Sequence, residues 1–156
     1  MQLTKLRLST YLFTVLTSIC FPSQVLGETI EYFSSQRNID NNYPFSNAVR
    51  VGDLLFLSGE IGTLPNSSKL IAGGIKNESQ QTMDNIKASL AIHNLTMNNL
   101  VKCTVMLADI KDWPAFNQVY KGYFPKHFPA RSAFATNGLA LNARVEVECI
   151  GAFSSQ

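Results

Sequence analysis

Apolar and polar positions alternate most regularly near the C-terminal end, in "RVEVECIGAF". In an extended chain Val145, Val147 and Cys149 point one way, and Glu146, Glu148 and Ile150 point the other. Carboxylates on one side of a long strand predict that this side meets another subunit or lines a cleft, rather than lying under a helix layer. Strand composition recurs in "TIEYFS", "LVKCTVMLADI" and "ARSAFA", and "AVRV" and "LLFLSG" flank Gly52-Asp53, a two-residue turn signal for a hairpin. "NNYPFSN" and "TLPNSSKLIAGG" carry loop chemistry, the two glycines closing the second loop.

From Ile75 to about Leu95 the period changes. Ile75, Met83, Ile86, Leu90 and His93 fall three, four or eight residues apart, with Lys76, Glu78, Asp84 and Lys87 elsewhere, which predicts an amphipathic helix. Asp112 stands as a cap before Trp113 and Pro114, and a second helix is predicted through Phe124. The order βββαβαββ is neither alternating α/β nor all-β, so an α+β fold is expected, with the two helices on one face of a mixed sheet.

The first 27 residues read as an export signal: Lys5 and Arg7 precede an apolar stretch from Leu8 to Phe21, and Val25 and Gly27 are small enough for cleavage. The apolar run is shorter than the about 20 residues of a membrane span. Cleavage leaves 129 residues (156 − 27), one domain from 28 to 156. It also removes two of 13 basic residues and none of 11 acidic ones, leaving 11 of each. That balance argues against nucleic-acid or anionic-membrane partners. The expected location is exported, periplasmic or secreted. Cys103 and Cys149 then remain; their spacing does not reveal a bridge, and small buried thiols are the favoured reading. The N-x-S/T triplets at Asn66, Asn77 and Asn94 are read as chance.

Counting excludes most catalytic constellations. His93 and His127 are the only histidines, so a His/Cys metal site lacks ligands, and no metal or organic cofactor is expected. A G-x-S-x-G elbow, a phosphate loop and a dinucleotide fingerprint are all absent. Arg131 in "HFPARSAF" and Glu146 remain. An arginine grips a carboxylate with two parallel hydrogen bonds, and a glutamate can position or deprotonate a water. On these residues alone the favoured reading of the pair is an internal salt bridge between neighbouring strands.

"FPARSAF" followed by "RVEVECIG" resembles the C-terminal signature of the RidA (YjgF/YER057c/UK114) family of reactive-intermediate deaminases. The likeness extends over "YPFSNAVRVGDLLFLSGEIG", "TMDNIKASL" and "VKCTVMLADIKDWPAFNQVYKGYF", from about Tyr43 to Phe153. It implies a chorismate-mutase-like fold assembled as a homotrimer, with sites in the clefts between subunits. It also implies cofactor-free hydrolysis of 2-imino acids and 2-aminoacrylate-type enamines to 2-oxo acids and ammonia. Arg131 would hold the substrate carboxylate and Glu146 the attacking water. Phe45, Ser58, Gly59, Asn117 and the main-chain carbonyl of Ala133 would line the substrate site. Phe45 stands where well-studied members carry tyrosine, Asn137 where a small or basic residue is preferred, and Ala140 where proline is common. Two further readings compete: a non-catalytic module binding a small carboxylate or a protein outside the cytosol, and a ribonuclease role, which the charge balance disfavours.

Overall fold

The computed structural model describes residues 28–153, so the segment read as an export signal lies outside the described residues. Strands β1 (Ile30–Phe33), β2 (Ala48–Val51) and β3 (Leu54–Leu57) form an antiparallel meander, and β4 (Glu60–Ile61) follows. Helix α2 (Gly74–Ile92), strand β5 (Leu100–Leu107), helix α3 (Trp113–Lys121), strand β6 (Ala130–Ala135) and strand β7 (Val145–Ala152) complete the chain, with a short helix α1 (Gln36–Asp40) between β1 and β2. The sheet order is β1-β2-β3-β7-β5-β6, with β4 also on β7. The β5–β6 pair is parallel and the others are antiparallel. The expected α+β architecture is therefore found. The helices stop three residues earlier than expected, at Ile92 and Lys121.

One face of the sheet is the core. Leu55, Val105, Leu107, Val145 and Val147 are fully buried there with Met83, Ile86 and Leu90 of α2 and Phe116 of α3. Each such side chain stabilises the fold by about 1.5–3 kcal/mol. The predicted alternation of β7 holds, since its odd-numbered positions are buried from Val145 to Gly151. The other face carries no helix. By strand parity and register it presents Ile30, Tyr32, Leu54, Phe56 and Phe134, all substantially exposed, beside Glu146 and Glu148.

Two local expectations are corrected. Asp112 stands at the start of α3 but caps no backbone N–H; its carboxylate accepts from Arg144 Nε (2.8 Å) and forms an ion pair with that side chain. The Arg144 main-chain N–H donates to buried Glu78 (2.8 Å), so both helices are pinned at the start of β7. Cys103 and Cys149 are not free thiols but a disulfide. They are direct partners across β5 and β7, with Cα atoms 4.1 Å apart. Cross-strand register creates this proximity, and sequence spacing does not encode it.

Candidate functional site

The edge of β7 that carries Glu146 is covered first by β3 and then by β4, and the join is irregular. Phe56 pairs with Ile150 and Ile61 with Glu146, so five steps on one side face four on the other. The extra residue falls in the Ser58–Gly59 stretch and forms a bulge, a device that bends a strand and re-aims its side chains. Beyond it Glu60 turns toward α2, where its carboxylate accepts from Ser89 (3.0 Å), while Ile61 shares the open face with Glu146.

The bulge makes a cleft of about 430 Å³, lined among others by Arg37, Phe45, Ser58, Gly59, Glu60 and Glu146. Gly59 touches the carboxylate so closely that a Cβ there would lie 2.1 Å from Glu146 Oε1. The Ser58 hydroxyl donates to the Ser46 carbonyl (2.6 Å), and its N–H donates to Asn47 O (3.0 Å). Ser58 thus fastens the loop that presents Phe45, whose exposed ring stacks on Tyr43 at 5.7 Å. Four of the sequence-predicted residues, Phe45, Ser58, Gly59 and Glu146, meet here.

Arg131 does not join them within one chain. Its register partner on β5 is Cys103, which in turn faces Cys149, so Arg131 points to the helix side of the sheet while Glu146 points to the open side. At the outer edge of β6 the guanidinium lies over Tyr120 (4.7 Å to the ring centre), with Trp113 at 5.7 Å and Phe116 at 5.9 Å. Asn117, on the same turns of α3 as Trp113 and Tyr120, belongs to this second cluster. Ala133, two residues along β6, packs its side chain toward the core. The salt-bridge alternative for Arg131 and Glu146 is therefore ruled out within a chain. Arg144–Asp112 is the ion pair found among the described residues.

Electrostatically the cleft is acidic, and its carboxyls are partly buried. Burial raises the Glu146 carboxyl above its ordinary value, and the neighbouring charge of Glu148 adds to the rise. Burial raises Glu60 as well, opposed by its bond to Ser89 and by the charge of Arg37. A carboxylate held less acidic than usual is a better proton acceptor, which suits a base for water. No cluster of three or more His, Cys, Asp or Glu that could hold a metal occurs among the described residues. His93 sits at the C-terminal end of α2, its ring edge-on to Phe33, as a packing residue.

Sequence reasoning missed Arg37 and Glu60. Arg37 lies on α1, too short to show a period, and Glu60 reaches the cleft through a bulge that sequence pattern does not mark.

Comparison with known proteins came to the same architecture. A family profile described as Endoribonuclease L-PSP matches residues 35–153. The human 2-iminobutanoate/2-iminopropanoate deaminase is 39% identical over 107 residues, 69% of this chain and 78% of that protein. The chloroplastic Reactive Intermediate Deaminase A of Arabidopsis thaliana is 36% identical over the same length, and the match spans 57% of that longer chain. Among solved structures, RidA from an Antarctic Psychrobacter superimposes with a TM-score of 0.68 at 32% identity, covering 70% of this chain and 89% of that one.

Proposed function

This chain belongs to the Endoribonuclease L-PSP family, which includes the RidA-type deaminases, and on that premise we propose that it hydrolyses 2-imino acids or their enamine tautomers to 2-oxo acids and ammonia. One observation carries the reading: the Glu146 carboxylate, made less acidic by burial, lies against the Gly59 backbone in a cleft sized for a small molecule.

In this reaction Glu146 takes a proton from water as the water oxygen bonds to the imine carbon, and the C=N electron pair moves to nitrogen, which takes that proton back from Glu146 to give a neutral carbinolamine. Glu146 then carries the carbinolamine hydroxyl proton to the amine. The oxygen closes to the 2-oxo group as the C–N bond breaks, and ammonia leaves with Glu146 again a carboxylate. An imine is already electrophilic, so positioning plus a base worth about 10²–10⁴-fold is adequate catalysis.

The substrate carboxylate needs a cation, and Arg131 lies on the wrong face of its own chain to supply one. We assign that role to Arg131 of a neighbouring copy. The uncovered apolar face supports association, since Tyr32 (70% exposed), Ile30 (55%) and Phe134 (47%) are costly to leave in water. A closed ring with shared sites, of the homotrimer kind, accounts for both facts. The cleavable leader and the exported location form part of the same reading, supported by the Cys103–Cys149 disulfide, a bond characteristic of oxidising compartments.

The test mixes two inactive variants, Arg131→Ala and Glu146→Ala, under conditions of subunit exchange. The substrate is 2-aminoacrylate, generated by a pyridoxal-phosphate enzyme. Half the Arg131 donors and half the Glu146 donors are then intact, so shared sites recover about a quarter of wild-type turnover. No recovery in a mixture whose subunits have exchanged refutes the shared site. A wild-type protein that binds 2-oxo acids by calorimetry yet turns over no imine supports the non-catalytic carboxylate-binding alternative.

A further inference from the structure

The deaminase reading uses one cation, and the cleft contains another. Arg37 is half-buried on the wall shared with Phe45, Ser58 and Glu146. Its α1 helix is fixed at its start and at its middle: Ser35 caps it by accepting from the Asn38 N–H, and the buried Asn38 side chain donates to the Phe45 carbonyl (3.3 Å). Arg37 Nη2 donates to Ser68 Oγ (2.8 Å), which orients the guanidinium without neutralising it. Its remaining N–H donors form no ion pair among the described residues. Glu60, whose raised carboxyl the Arg37 charge opposes, is already engaged with Ser89.

We propose that Arg37 is a specificity residue, reading the far end of the substrate, and that the cleft favours 2-imino acids whose side chain ends in a second carboxylate. This deepens the deaminase reading and rests on it. Three facts lead there. In the single chain the cleft measures about 430 Å³, more than a three-carbon imine and one entering guanidinium fill. Glu60 and Glu146 repel any second negative charge, so an acidic substrate enters only if a fixed cation compensates. A half-buried guanidinium with open donors provides that compensation, with the forked geometry that suits a carboxylate.

The test compares 2-iminoglutarate with 2-iminopropanoate, each generated in situ by an amino-acid oxidase and assayed with wild type, Arg37→Ala and Arg37→Gln. A lost charge-assisted hydrogen bond corresponds to about 10–100-fold. Both variants are therefore expected to lower kcat/KM for 2-iminoglutarate at least tenfold more than for 2-iminopropanoate, with Arg37→Lys restoring part of the difference. Equal losses on both imines overturn the proposal, because Arg37 would then grip the carboxylate common to both. An unchanged ratio overturns it too. Calorimetry with 2-oxoglutarate and pyruvate decides the matter separately from turnover. An Arg37-dependent preference for 2-oxoglutarate upholds the inference even where no imine is hydrolysed, an outcome that refutes only the deaminase reading. No such preference refutes the inference.

Discussion

Gly59→Ala perturbs the candidate base without touching it chemically. The added Cβ would stand 2.1 Å from Glu146 Oε1 and 2.9 Å from its carboxyl carbon, where ordinary contact is about 3.5 Å or more. The carboxylate must retreat by over ~1 Å, a misplacement that can cost about 100-fold. Gly59 is not one of the positive-φ glycines, so its backbone accepts alanine, and the Glu146 side chain can swing into the open cleft. The expected result is a fall in kcat/KM of about 100-fold, bounded by the roughly 10²–10⁴-fold of losing the base outright. Urea unfolding should shift by less than about 1 kcal/mol, since no core packing is lost. The assay is loss of 2-aminoacrylate with release of pyruvate and ammonia. In a Glu146→Ala background the same substitution should add almost nothing, because both changes act on one group. Wild-type turnover in Gly59→Ala, or fully additive losses in the double variant, refutes the role given to Glu146.

Two further outcomes follow from the geometry. The Cys103–Cys149 bond closes a loop with a sequence separation of 46, for which chain entropy gives roughly 4 kcal/mol. Guanidinium unfolding with reductant present should therefore have a clearly lower midpoint than without it, and coincident midpoints contradict this. The raised carboxyls of Glu146 and Glu60 set the pH behaviour. An acid whose folded value is raised favours folding below its unfolded value, about 4.3, and loses that contribution as pH climbs through the folded value. Stability is thus expected to decline over that window, less so in Glu60→Gln, while kcat/KM rises over it with a midpoint above that of a free glutamate. A pH–rate midpoint at or below the free value rejects Glu146 as the base.

Elements with a strong internal rhythm were legible from the chain alone. The alternation of Val145 to Ile150 and the helical recurrence from Ile75 to Leu90 reflect burial of one face, which side-chain chemistry records directly. Gly52-Asp53 marked its hairpin because few residues accept the positive φ (55°) that Gly52 adopts. What escaped depends on register between distant strands. Nothing in "PARSAF" or "VEVECI" says that Arg131 shares a face with Cys149 and not with Glu146, because that follows only when β5 is laid between them. The disulfide escaped for the same reason. Helix α1 and the bulge at Ser58–Gly59 are too short for any period, yet they bring Arg37 and Glu60 to the cleft.

The placement of Arg131 and Glu146 on opposite sides of one sheet has a kinetic corollary. On the proposed assignment a solitary copy holds Glu146 without a neighbour's Arg131, and Arg131 without a neighbour's Glu146. Specific activity should then depend on protein concentration, collapsing on dilution as copies separate and returning as they reassociate. For such a molecule self-association would act as the on-switch.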